Sequence, residues 1–264
     1  ALGTDVYAAD INQAVTDAKS GVVQIQVWFV DPEAAVEIGL HSGTGFLINE
    51  DTVVTNDHVA SGFDDSWYVD WAQYTKSVLG VERTAEEIKQ GLQIRISVLR
   101  DVYVTATVRT ASSEMDYAIL TLDEKLYNRT PLALRNTEDL QQTESVYALG
   151  FPGDVMDYVD QNYYDVNDVT ITSGSVNKVD RITVTSAEGR VYKDVECVES
   201  SALITGGNSG GPLVDANGAV VGINTLASDT RNIAITIDQV IDTLDALGIS
   251  YTLYEEGASA PTEA

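Results

Sequence analysis

The strongest chemical signal in the chain is GGNSGGPLV, Gly206 to Val214, in which Ser209 is flanked by Gly206, Gly207, Gly210 and Gly211. Acyl transfer needs a serine on a tight turn, where a carbonyl carbon can approach and backbone N–H groups can face the oxygen that becomes negative. Glycines permit both, because they adopt unusual dihedrals and leave room for close approach. A Gly-Ser cluster is also what a plain turn between strands looks like. A Gly-Asn-Ser-Gly-Gly-Pro string entering an apolar strand is more specific. Serine is a weak nucleophile until a base takes its proton, and the chain holds only two histidines. His41 precedes SGTGF in a turn-like context, so a solvated surface position is expected. His58 follows the strand-like DTVVTN, and a base at the end of a rigid strand is well placed to act on a serine. The base in turn needs an acid to hold its tautomer and stabilise the imidazolium. With 41 acidic residues, composition cannot choose among them. Asp116 stands out because it abuts the apolar YAILTL, and a carboxylate entering a buried strand needs a partner. Asp101, Asp123 and Glu124 lie in polar, turn-like contexts and read as surface. Cys197, the only cysteine, lies in the alternating YKDVECVESSAL and reads as a small buried apolar residue. A lone cysteine forms no internal disulfide, so the fold must stand on its core.

The elements that must position these groups are mostly strands. From Gly21 onward, short β-branched or aromatic runs such as GVVQIQVWFV, GTGFLI and DTVVTN are broken by Gly, Asn and Asp. LQIRISVL, VYVTATVRT, YAILTL, SVYALGF, VTITSGSVNKV, ITVTS, VECVESSAL, GPLVDANGAVVGINT and RNIAITI continue the pattern, which points to an all-β barrel or sandwich. DANG, residues 215–218, is a hairpin turn signal. Residues 8–19 read as a short helix, with Ile11 and Val15 on one face. Residues 238–247 read as another, with Asp238 as N-cap and Gly248 as the C-terminal stop. Between 62 and 91 the pattern is partly helical, and Trp67, Trp71, Tyr74 and Val78 form a stripe expected to pack on the barrel. Residues 152–169 form a Tyr- and Asp-rich loop whose Asp154, Asp157 and Asp160 lack EF-hand spacing, so a solvated acidic loop is expected there rather than a calcium site.

Length and charge narrow the function classes. The 264 residues are enough for a sizeable core, and the formal charge of −26 repels nucleic acid and anionic membrane surfaces. No apolar run is long enough to span a bilayer. The chain starts at Ala1 without an initiator Met or a signal-peptide pattern, which reads as a processed form or a fragment of something longer.

These residues resemble the trypsin-like serine proteases, most closely the bacterial HtrA/Deg branch. The matching strings are SGTGFLI, VVTNDHVA, MDYAILTL, VYALGFP, TSGSV, GGNSGGPLV, GAVVGINT and NIAITID, in the family's order, over about Gly21 to Leu247. The resemblance implies two six-stranded antiparallel β-barrels, with short terminal helices and a helical insertion in the first barrel. The expected division is an N-terminal helical segment at 1–20, a first barrel at 21–135 and a second at 136–237. A helix at 238–250 and a flexible tail at 251–264 complete it. His58 and Asp116 would come from the first barrel and Ser209 from the second. The oxyanion hole would use the N–H groups of Gly207 and Ser209, with Asn208 shaping the turn. The S1 subsite would be built from Leu203, Ile204 and Thr205 and from Asn224, Thr225 and Leu226. Leu203 falls where a basic-specific protease would hold an acid, and no histidine after His58 is available to recognise glutamate, so a small or medium aliphatic P1 residue is expected.

The family further implies polypeptide substrates in an unfolded or flexible state, no cofactor or metal, and an extracytoplasmic location; it leaves a homo-oligomer open. The chain departs from the family in three places. No PDZ domain follows, the segment between His58 and Asp116 is long, and ITGGNSGG replaces the commoner NPGNSGG. Asn208 also stands where zymogen-type relatives carry an aspartate that pairs with a new N-terminus. Activation without N-terminal cleavage is therefore expected, with substrate or the 152–169 loop ordering Gly206–Asn208. A catalytically silent binding domain and a small-ester hydrolase are the competing classes. The first commonly loses a triad residue, whereas all three are kept here; the second commonly places Gly-x-Ser-x-Gly at a strand-to-helix turn, whereas GNSGG here lies in a strand-rich context.

Overall fold

The structure is a computed structural model that describes residues 13–99, 102–153, 164–186, 189–228 and 231–255. Its strands form two six-stranded antiparallel barrels. The first contains β1 (Val22–Asp31), β2 (Val36–Leu47), β3 (Thr52–Thr55), β4 (Leu92–Leu99), β5 (Val102–Ser112) and β6 (Tyr117–Leu122), ordered 1-2-3-6-5-4 and closed by pairing of β1 with β4. The second contains β7 (Ser145–Gly150), β8 (Thr170–Thr185), β9 (Val191–Ser200), β10 (Pro212–Asp215), β11 (Val220–Ser228) and β12 (Arg231–Thr236), ordered 10-11-12-9-8-7 and closed by β7 with β10.

The period-two alternation of strands sends apolar residues into each barrel and into the space between the two. Val23, Ile25, Leu47, Val53 and Leu120 fill the first barrel. Val146, Ala148, Val198, Leu213 and Val221 fill the second. The neighbours one position along, Val22, Phe46, Val54, Ile119, Leu149 and Val214, face the opposite way. They meet Val240 and Leu244 of the C-terminal helix in a third core between the barrels. Strands buried on both faces read as continuous apolar runs, which is why DTVVTN and YAILTL show little alternation.

Several local expectations are corrected. The helix Asp65–Leu79, capped by Asp64 and ended by Gly80 at φ 68°, buries Tyr68, Trp71 and Thr75, the first two against Val27, Phe29 and Ile88. Tyr74 and Val78 of the expected stripe are exposed, at 47% and 55%. Each lies one residue, about 100° of helix rotation, off the buried face. The C-terminal helix Asp238–Leu247 starts one residue earlier in the cap than expected. Ile237 is the N-cap, and the Asp238 carboxylate instead accepts from the N–H and Oγ1 of Thr137. VTITSGSVNKV and ITVTS are one strand, β8, because its first half pairs with β7 and its second half with β9 across two register shifts. β2 starts at Val36 rather than Gly43, since β1 supplies ladder partners that far out. The tail expected from 251 is ordered at its start: Leu134 N–H donates to Thr252 and Tyr254 N–H donates to Leu134. Residues 13–18 are helical, while 8–12, Asp101 and Asp154, Asp157 and Asp160 lie outside the described residues.

Candidate active site

His58 sits in a one-turn helix, Asp57–Ala60, directly after β3. The N-cap Asn56 is fully buried, and its Nδ2 donates to the carbonyl of Asp116 at 2.7 Å and to Thr225 Oγ1 at 2.9 Å. This ties the His58 turn to the start of β6 and to β11 of the other barrel. Asp116 has φ 52°, a left-handed conformation that Asp tolerates better than most residues but that still costs on the order of 1 kcal/mol. That backbone aims the carboxylate back at His58. Asp116 Oδ2 lies 2.8 Å from His58 Nδ1, and Oδ1 accepts from the His58 N–H at 3.0 Å. Asp116 is fully buried. Burial pushes its carboxyl up, but the hydrogen bond and charge of His58, with Arg190 and Tyr192, outweigh this and hold it below the usual carboxylate range. An ionised carboxylate on Nδ1 keeps the proton of a neutral imidazole there and leaves Nε2 able to accept one.

Ser209 is half-buried in the turn before β10. Its carbonyl accepts from Thr44 N–H of β2 at 2.9 Å, Gly210 N–H donates to Asn224, and Thr44 Oγ1 donates to the Gly207 carbonyl at 2.7 Å. The close approach requires glycine: a Cβ on Gly210, at φ 86°, would lie 2.1 Å from Thr55 Oγ1. A Cβ on Gly43 would strike Val59, the residue after His58, and crowd the Ser209 carbonyl. Ser209 and the His58 turn therefore flank the same point of β2, across the seam between the barrels. Asn208 N–H donates to Thr205 O, and Gly211 N–H donates to Asn208 O. Asn208 thus shapes the turn with its main chain, and its N–H is directed away from a ligand. The Gly206 carbonyl accepts from Gly153 N–H at 2.6 Å.

The expected S1 residues divide. Leu203 is 47% exposed, and its carbonyl accepts from Thr172 Oγ1. Thr205 is exposed. Ile204 is packed in the second-barrel core, and the buried Asn224 side chain bridges Pro212 O and Asn232. The side chains of Ile204 and Asn224 therefore belong to the barrel interior, which leaves only their main chain for a ligand. Thr225 is buried, and Leu226 is partly buried against Tyr192, Val195 and Ile235. Among the described residues no cluster of His, Cys, Asp and Glu is arranged to hold a metal.

The sequence reading missed His41, Arg190 and Tyr192. His41 lies within β2, not in a solvated turn, with its ring 5.6 Å from that of Phe63 and 5.3 Å from that of Trp67. Burial, and the charge of nearby His58, push its imidazole down to about 4. Tyr192 OH donates to Asp116 Oδ2 at 2.6 Å, and Arg190 Nη1 lies 3.4 Å from Oδ1. The only hint in the sequence was that a carboxylate as buried as Asp116 demands partners.

The Trypsin-like peptidase domain family matches residues 43–223. "Serine protease HTR4" of Rattus norvegicus is 29% identical over 217 residues, which is 82% of this chain and 36% of that protein. "Serine protease HTRA3" of Homo sapiens is 29% identical over 226 residues, 83% of this chain and 40% of that protein. "Protease Do-like 1, chloroplastic" of Arabidopsis thaliana is 26% identical over 219 residues, 80% of this chain and 40% of that protein. The similarity thus extends to animal and plant proteins, and the chain spans about two fifths of their length or less. Among solved structures, the Rv3671c protease in its inactive form aligns with a TM-score of 0.60 and 22% identity, covering 91% of this chain and 96% of that one. The active form, from M. tuberculosis, aligns with the same score over 94% and 89%. Those two likenesses concern the fold. The chain belongs to the trypsin-like peptidase family.

Proposed function

We propose that Ser209, His58 and Asp116 form the catalytic triad of this domain and hydrolyse peptide bonds through an acyl-enzyme. The observation that carries the reading is the two-point seat of His58 on Asp116, through Nδ1 at 2.8 Å and the main-chain N–H at 3.0 Å. In this reading His58 Nε2 takes the Ser209 proton as Oγ attacks the scissile carbonyl, and returns it to the leaving amine. Asp116 stays ionised and stabilises the imidazolium. The N–H groups of Gly207 and Ser209 face the developing oxyanion. Water then enters, activated by the same imidazole, and releases the acid product. Unfolded or flexible polypeptides are the substrates assigned, because a chain must extend along the seam to reach Ser209.

Ser209→Ala is expected to abolish cleavage of a peptide library and labelling by a fluorophosphonate while leaving the fold intact. Asp116→Asn is expected to lose about four orders of magnitude in kcat through the wrong tautomer. Near-native turnover in either purified variant would remove the triad. For specificity we assign aliphatic P1 residues. The support is that Leu203 and Leu226 offer no charge to pair with a desolvated Lys, Arg, Asp or Glu. Dominant cleavage after Arg in the same library would overturn that assignment.

A further inference from the structure

Arg190 immediately precedes β9 and Tyr192 lies within it, both on the second barrel. Their side chains nevertheless reach the acid of the first barrel. Tyr192 is 2% exposed, and its hydroxyl donates to Asp116 Oδ2 at 2.6 Å. Arg190 Nη1 lies 3.2 Å from Asp57 Oδ2 and 3.4 Å from Asp116 Oδ1, and donates to Ser113 O at 3.1 Å. Its Nη2 donates to Gly62 O at 3.1 Å. One guanidinium thus joins two segments of the first barrel, the His58 turn at 57–62 and the β5–β6 connection at 113–116. The fit requires Gly62, where a Cβ would lie 2.2 Å from Nη2 and 2.4 Å from Asp57 Oδ2.

The Asp116 carboxylate is consequently held from four directions: His58 Nδ1, His58 N–H, Tyr192 OH and Arg190. A carboxylate with all these partners cannot rotate about its terminal bond, so the plane of the His58 ring is set with it. Thr225, the other hydroxyl near this point, is engaged elsewhere: it donates to Ile223 O and accepts from Asn56. The charged and titratable groups around the pair are Asp57, Arg190, Tyr192 and His41. Of these, His41 is neutral above about pH 4.

We propose that Arg190 and Tyr192 are positioning residues for peptide hydrolysis. They lock the Asp116 carboxylate onto His58 and make a complete triad depend on docking of the β8–β9 hairpin against the first barrel. The inference rests on the triad reading above. Its electrostatic consequence has a definite sign. Arg190 and the Tyr192 proton both draw negative charge away from the face that Asp116 turns to His58. Removing either strengthens the hold of Asp116 on imidazolium, so activity switches on at a higher pH.

The test is kcat/KM for a peptide substrate across about pH 5 to 9, the range that brackets imidazole titration. It compares the intact chain with Tyr192→Phe, Arg190→Gln and Arg190→Lys. His58 ring-nitrogen resonances are followed by NMR in the same proteins. Tyr192→Phe is expected to lower kcat/KM about tenfold. Tyr192→Phe and Arg190→Gln are both expected to move the acid limb upward by about half a pH unit, with the His58 resonances moving in step. Arg190→Lys, which keeps the charge, is expected to leave the limb near its original place. A limb and ring resonances that stay put in Tyr192→Phe overturn the proposal, whether or not turnover falls, because a merely structural tyrosine would behave that way. An Arg190→Lys limb displaced as far as that of Arg190→Gln also overturns it. Persistent cleavage by Ser209→Ala would instead defeat the triad reading alone, since the NMR titration judges the Asp116–His58 pair without turnover.

Discussion

The amide of Gly153 donates a 2.6 Å hydrogen bond to the carbonyl oxygen of Gly206, and this contact decides which way the peptide ahead of the Ser209 turn faces. The peptide is trans, so the N–H of Gly207 lies on the side opposite to the Gly206 carbonyl. Gly207 itself has φ 95°, and a Cβ there would lie 2.4 Å from the carbonyl oxygen of Phe151. The sequence led us to expect that the Gly206–Asn208 loop needs an outside contact to order it. Gly153, at the near end of the Tyr- and Asp-rich segment, supplies one.

Gly207→Ala should therefore displace the loop and misdirect the amide that the proposed mechanism assigns to the oxyanion. The expected outcome is a fall in kcat of about 10² to 10³-fold, the usual effect of losing one such donor. Thermal unfolding should change far less. Steady-state kinetics together with a melting curve check this, and unaltered kcat would show that the Gly207 amide takes no part.

The pH dependence should separate the two histidines. His58 must be neutral to accept a proton, so activity is expected to rise from acid toward neutral pH. His41, pushed down to about 4 by burial and then by the charge of His58, is already neutral there and contributes nothing to that limb. Its effect is on stability. Between about 6.5 and 4 the unfolded chain binds a proton at His41 that the folded chain does not. Folding stability from this group is thus full above about pH 6.5 and is lost as pH falls toward 4. His41→Asn should keep the activity limb and flatten the slope of unfolding free energy against pH over that interval. Urea unfolding at several pH values measures the difference, and parallel slopes would refute it.

Cys197 should behave as an inert core residue. It is 3% exposed, and burial, followed by the neighbouring Glu196 carboxylate, pushes its thiol up to about 12. A thiol reacts as the thiolate, so disulfide reagents at pH 8 should label the native chain at least about 100-fold more slowly than the chain in denaturant. Equal rates would mean that β9 opens readily, contrary to its pairing with both β8 and β12.

By itself the sequence determined the features written in local chemistry. Gly206–Pro212 announced a serine on a tight turn, because its glycines and proline run together into an apolar strand, which a plain Gly-Ser turn does not require. YAILTL and DTVVTN announced buried strands through their β-branched, unalternating character, and an aspartate against the first demanded a partner. Gly248 stopped its helix as expected, at φ 64°. The tertiary structure decided what depends on residues distant in the chain. Whether Tyr74 or Thr75 faced the barrel turned on one helical residue of rotation, which periodicity resolves only to within its own scatter. His41 looked solvated because nothing near it in sequence foretold that Phe63 and Trp67 would fold over its ring. Arg190 and Tyr192 lie more than 70 residues from Asp116, on the other barrel. No local pattern encodes their meeting, because closure of two separate sheets brings them together, and a buried carboxylate states only that it must be satisfied.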